Sequence, residues 1–251
     1  MTTPPAAHPV QAGDGHAFTL LHVRATSPRL RLLWLPALGV TARHYLPFAE
    51  ALAARGVDVH LHEWRGSGSS TLRAGRGADW GYRTLLSEDL PASLAAIAAL
   101  WLVASGTPYW RSFPHPLRHA LPLVYRFLPW LARRLGVLPG RRLGFGGNEA
   151  PHLIADWARV GLTDRYVASG MAQDLDAGMA HCNVPVQGIV LADDWMAPAS
   201  SLQRLVARLG TGTPGILRLD AHALGTRADH FAWMRAPAAV ADALLDGMRQ
   251  P

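Results

Sequence analysis

An α/β architecture, with a mostly parallel doubly wound sheet and helices on both faces, follows from three features of the sequence. Short apolar runs alternate with longer helical stretches from residue 17 to the C-terminal end. Hydrophobic residues are 49% of the 251 and charged ones 17%, which supplies the apolar surface for a large core. Turn-forming clusters such as Arg65-Gly66-Ser67-Gly68-Ser69-Ser70 separate the runs.

Taken in order, residues 1–15 are rich in Pro, Ala and Thr and predict a loose tail, with neither the basic nor the apolar region of a leader. Strands are expected at 17–23 and 30–35, the second nearly all apolar, as a buried central strand would be. Pro36-Ala37-Leu38-Gly39-Val40 forms a turn, Thr41 a helix N-cap, and the helix runs through Ala54 to a stop at Gly56. Residues 57–64 alternate Val57, Val59 and Leu61 with Asp58, His60 and His62, a strand pattern. A long helix is expected over 79–99, then a strand at 100–105 that meets Gly106-Thr107-Pro108. Residues 111–180 read as helical and irregular, followed by a strand at 184–192, a helix at 200–209, a strand at 215–219 and a helix at 237–248. The expected organisation is one α/β domain over 16–251 with a helical insert at 106–183.

The net charge of +6 raises the question of nucleic acid, yet all 24 basic residues are Arg and none forms a run of five or six. No aromatic platform is interleaved with them, so no nucleic-acid partner is expected. The single cysteine, Cys182, excludes an intrachain disulfide. No stretch of eighteen apolar residues occurs, and a soluble cytoplasmic protein is the expectation.

Three spans resemble the α/β-hydrolase superfamily, in that family's order, the third being a pair of C-terminal motifs. Leu33-Trp34-Leu35-Pro36-Ala37-Leu38-Gly39-Val40 resembles its strand and oxyanion loop, with Pro-Ala-Leu where His-Gly-x is usual. By that resemblance the N–H of Leu38 would face a developing oxyanion. Glu63-Trp64-Arg65-Gly66-Ser67-Gly68-Ser69 resembles a structural turn after the next strand. Gly188-Ile189-Val190-Leu191-Ala192-Asp193-Asp194-Trp195-Met196-Ala197-Pro198 resembles the strand that ends in the triad acid. The Pro four residues on favours Asp194 over Asp193. His230-Phe231 resembles the turn that presents the triad histidine, with Asp229 in place of a glycine. The chain is most similar to the serine-aminopeptidase and monoacylglycerol-lipase-like bacterial branch. The resemblance implies hydrolysis of small apolar esters, lipids or amides, with Asp194 and His230 as catalytic residues.

The nucleophile is missing. No Gly-x-Ser-x-Gly elbow occurs anywhere in the chain. The strand, elbow, helix and turn that should precede residue 100 would need about 25 to 30 residues. Instead Leu94-Ala95-Ala96-Ile97-Ala98-Ala99 runs straight into Leu100. Should the strand at 100–105 slide into the vacant slot, Ser105 would lie near the nucleophile's place. The family therefore implies a hydrolase by ancestry, and the missing elbow leaves a non-catalytic or lipid-binding relative as the alternative.

Within the insert, Leu117, Leu121, Val124, Leu128, Leu131 and Leu135 recur at helical spacing, and Pro122 and Pro129 are expected to kink or divide that helix. It reads as a lid, a face that touches a membrane surface, or an amphipathic helix packed on the domain. No cofactor is expected, and no metal, because His60 and His62 share a strand face without a third ligand.

Overall fold

The computed structural model describes residues 5–93, 100–144, 146–182, 184–210 and 215–247. In chain order the strands are β1 (Ala6–Gln11), β2 (Ala17–Val23), β3 (Leu30–Trp34), β4 (Val57–Leu61), β5 (Leu100–Val103), β6 (Leu138–Pro139), β7 (Asn148–Glu149), β8 (Val186–Leu191) and β9 (Gly215–Leu219). The first helices are α1 (Leu46–Ala53), α2 (Tyr82–Thr84), α3 (Leu90–Ser93), α4 (Leu117–Leu135) and α5 (Gly140–Leu143). They are followed by α6 (Pro151–Thr163), α7 (Leu175–Ala180), α8 (Ala199–Val206), α9 (Ala221–Leu224) and α10 (Pro237–Gly247). The chain divides into two compact units. One comprises Met1–Ile97, Arg126–Asp156 and Ala168–Met171; the other comprises Ala98–Tyr125, Trp157–Val167 and Ala172–Pro251. The insert at 106–183 is thus shared between units.

The first unit is built on a four-stranded sheet of order β1-β2-β4-β3, in which β3 and β4 run parallel. Its first strand corrects the expectation of a loose tail. Ala6–Gln11 pairs antiparallel with β2 from Ala6↔His22 to Gln11↔Ala17. An edge strand needs one ladder of backbone bonds and no apolar pattern, and it tolerates Pro9, so composition hides it. The expectation of a buried central strand at 30–35 also fails. Among the described residues β3 pairs with β4 alone, and most of it is only half-buried.

Between β3 and β4 the chain passes through a 3-10 turn at Ala42–Tyr45 before α1, which seats Phe48, Ala49 and Leu52 in the core. Thr41 makes no side-chain cap. The buried carboxyl of Glu63 accepts from the Ala42 N–H at 3.0 Å instead, so a residue distant in sequence takes the capping role. The helix expected over 79–99 is interrupted by a π-turn at Leu85–Asp89. Pro91 lacks the N–H that an α-turn would use, and the wider turn accommodates it. Residues 94–99, where the expected helix meets the missing segment, lie outside the described residues.

The second unit holds a parallel sheet of order β5-β8-β9. All six residues of β8 are buried, Gln187 among five apolar ones. One face, Val186 and Val190, packs on Leu202 and Val206 of α8. On the other, the Gln187 side chain donates to Ala243 O of α10 at 3.0 Å. Helices therefore cover both faces of β8. As with β3, β5 pairs on one side only among the described residues.

Helix α4 is continuous through Pro122 and Pro129. Its buried residues are Tyr125, Pro129 and Ala132, whereas Val124 and Leu135 of the expected face are exposed. Leu123, Phe127 and Trp130 give this helix a second apolar stripe, so periodicity does not select the face that packs.

Candidate active site

Asp194 lies in the turn that follows β8, and its N–H returns to Leu191 O at 3.2 Å. Asp193 points to solvent, while the Asp194 carboxylate is 0% exposed. Oδ1 accepts from the N–H groups of Met196 and Ala197, both at 2.9 Å. Oδ2 meets His230 Nδ1 at 2.8 Å. Three hydrogen bonds hold the carboxylate in one orientation.

His230 sits on the loop between α9 and a 3-10 turn at Ala232–Arg235. Gly225, at φ +66°, ends α9 and turns the chain. Asp229 caps the turn: its carboxylate accepts from the N–H groups of Phe231 at 3.1 Å and Ala232 at 2.7 Å. Those bonds hold the Asp229 carboxyl below its ordinary range, the Ala232 bond most strongly. The Asp193 N–H donates to Ala228 O at 2.9 Å and ties the acid's loop to the histidine's.

An ionised carboxylate only accepts, so Nδ1 of His230 carries the proton and Nε2 presents a lone pair. The ring is 18% exposed, and Nε2 has no hydrogen-bond partner among the described residues. A ring held in this way is oriented to accept a proton at Nε2. Ser105 does not complete a triad with it. The Ser105 hydroxyl donates to Val103 O at 2.8 Å and makes no hydrogen bond to His230.

Leu38 belongs to the first unit, in the turn after β3, where Val40 N–H bonds Ala37 O at 3.0 Å. Trp64 Nε1 donates to Pro36 O at 2.6 Å and Ala37 N–H to the Tyr45 hydroxyl at 3.3 Å, which fixes the loop. The Leu38 side chain packs against the cluster of Trp64, Trp80, Leu85, Ala150 and Leu153. Gly39, at φ +75°, has no room for a side chain: a Cβ would lie 2.0 Å from Gly147 N and 2.3 Å from Glu149 Oε1. Glu149 was not legible as a site residue, since a glycine-rich run precedes it. It is buried beside this loop, and burial raises its pKa to about 6.

A Ser–His–Asp arrangement that no sequence motif marks lies in the first unit. His16 Nδ1 meets Asp89 Oδ1 at 3.1 Å, and its Nε2 meets Ser70 Oγ at 2.9 Å. All three residues are buried, and Ser70 Oγ already accepts from the N–H groups of Gly66 and Leu72. Arg65 adds a two-pronged bond to Asp89 at 3.1 and 2.7 Å and reaches Asp14 at 2.8 Å. The network ties β2 and its hairpin to the 65–70 turn; no substrate could reach this serine.

His60 stacks on His22 at 4.1 Å, and His62 Nδ1 bonds Ser93 Oγ at 2.9 Å. No cluster of three metal-ligating side chains occurs among the described residues.

No protein-family model matches this sequence, and no curated protein matches it. Solved structures match over nearly its whole length. An esterase from Exiguobacterium antarcticum superposes with a TM-score of 0.60 at 12% identity, covering 98% of this chain and 100% of that one. A soluble variant of monoglyceride lipase from Saccharomyces cerevisiae gives 0.59 at 14% identity, covering 100% and 96%. DcsB, solved with its substrate analogue, gives 0.60 at 13% identity, covering 98% and 99%. At such identities the likeness is one of fold, and the fold of this chain is that of the α/β-hydrolases.

Proposed function

We propose that this chain is an ester or amide hydrolase by descent, of the serine-aminopeptidase and monoacylglycerol-lipase-like branch, that has lost its serine elbow and kept its acid–histidine pair. The observation that carries this reading is the 2.8 Å bond from His230 to a carboxylate held by two further N–H groups. Two features support the loss: the sequence has no Gly-x-Ser-x-Gly, and among the described residues β3 and β5 each end a sheet.

The chemistry open to such a pair is hydrolysis by activated water. His230 Nε2 takes a proton from water, and the hydroxide adds to the carbonyl carbon of a small apolar ester, lipid or amide. The tetrahedral adduct collapses with cleavage of the C–O or C–N bond, and the imidazolium returns its proton to the leaving group. Asp194 keeps the ring oriented and stabilises its charged form. Leu38 is the oxyanion donor that the family resemblance implies. General-base assistance of this kind contributes roughly 10²- to 10⁴-fold, far less than a complete triad.

Turnover of short-chain p-nitrophenyl esters tests the reading. Slow hydrolysis is expected, lowered about 10²-fold by His230→Ala and by Asp194→Asn and unchanged by Ser105→Ala. Covalent labelling by a fluorophosphonate that Ser105→Ala abolishes would overturn it in favour of a serine nucleophile. Equal rates in wild type and His230→Ala would instead favour the second reading, a non-catalytic binding relative, which the engagement of Ser105 with Val103 O also supports.

A further inference from the structure

The outward face of α4 plays no part in the site described above, and its chemistry is unlike that of an ordinary solvated helix. Leu123, Phe127 and Trp130 are 70%, 51% and 48% exposed. Their spacing of four and three residues sets them in one stripe along the helix. The opposite side is the packed one, where Ala132, Leu128 and Leu131 join Leu138 and Ile154 in a cluster. The Phe127 and Trp130 rings lie 5.6 Å apart, and the Arg134 guanidinium stands over Trp130 at 5.6 Å. Arg126 and Arg133, two turns apart, border the stripe on one side.

Charge narrows what can cover this face. From residue 90 to residue 148 the chain carries no Asp or Glu, and it carries seven Arg. A partner must therefore present negative charge beside an apolar layer that accepts Trp, Phe and Leu. We propose that α4 lies on the surface of an anionic phospholipid bilayer, its axis in the plane of the interface. Leu123, Phe127 and Trp130 enter the headgroup–acyl boundary, and the neighbouring arginines meet lipid phosphates. A tryptophan beside arginine suits that boundary, where an amphipathic ring and a long cationic side chain each reach both apolar and polar layers. The helix is not a span: no helix among the described residues is long and apolar enough to cross a membrane. The proposal does not depend on catalysis.

Co-sedimentation of the full chain with vesicles tests it, using phosphatidylglycerol mixed with phosphatidylcholine against phosphatidylcholine alone. Binding to the anionic vesicles should exceed binding to the neutral ones by about tenfold or more and fall as salt is raised. Phe127→Ser with Trp130→Ser, and separately Arg133→Gln with Arg134→Gln, should each weaken binding about tenfold. The exposed control Val167→Ser should leave it unchanged, and circular dichroism should show every variant folded. In the wild type, lipids brominated high on the acyl chain should quench fluorescence that Trp130→Phe removes. Equal binding to neutral and anionic vesicles, undiminished binding in the folded Phe127/Trp130 double variant, or no binding would overturn the proposal. So would a dimer that this double variant dissociates, which would assign the face to a second copy of the chain.

Discussion

Acidification should charge His62 inside the first unit, and the cost can be worked from its surroundings. The ring is fully buried and packs edge-on against Phe18 at 5.2 Å and Trp64 at 4.3 Å. Nδ1 bonds Ser93 Oγ, and Nε2 is buried with no hydrogen-bond partner. Burial is the dominant cause that lowers its pKa from 6.5 to about 4, against the opposing pull of Asp89. Because the folded value lies below the unfolded one, the unfolded chain takes up the proton first. The stability His62 allows is complete above pH 6.5 and declines as pH falls toward 4. At about 1.4 kcal/mol per pH unit this amounts to about 3 kcal/mol. Glu149 works in the opposite sense: its pKa is raised from 4.5 to about 6, so its burial penalty is relieved as pH drops through the same range. The two effects partly cancel in the wild type, and only a difference isolates His62. Urea unfolding of wild type and His62→Gln at pH 7, 6, 5 and 4 should show the wild-type advantage shrinking by about 3 kcal/mol. A gap that stays constant across that range, or an NMR titration placing the His62 pKa at 6 or above, would refute the reasoning.

Arg65→Ala should cost about 3 to 5 kcal/mol, because it strands the fully buried Asp89 carboxylate that Arg65 grips with two nitrogens; denaturant midpoints would measure it. Gly39→Ala should cost about 2 to 4 kcal/mol, combining a strained positive φ with a collision against Gly147 and Glu149. Gly75→Ala, where a Cβ meets nothing within 4 Å, should stay within about 0.5 kcal/mol of wild type in the same experiment.

The Asp194–His230 pair shows how far a resemblance carried by short motifs reaches. Proline spacing selects Asp194 over Asp193, and the structure places Asp194, not Asp193, against His230. Strand β8 is legible because a strand covered on both faces must be largely apolar, and Gln187 is its one polar residue. Strand β1 is not, because its pairing uses backbone groups that every residue carries. The capping carboxyl of Glu63 and the Ser70–His16–Asp89 network are invisible for another reason. Their partners lie 21 to 73 positions apart, and chain folding alone brings them together.

The sequence by itself determined the alternation of strands and helices and the absence of a Gly-x-Ser-x-Gly elbow, and a resemblance carried by its motifs singled out Asp194 and His230 as a candidate pair. Each of these is a matter of local pattern or of residues present and absent. Only the tertiary structure decided that the first strand begins near residue 6, that β3 and β5 each pair on one side among the described residues, and which face of α4 is left to solvent. Those outcomes depend on which surfaces meet, and an apolar residue carries no mark of the neighbour it will find.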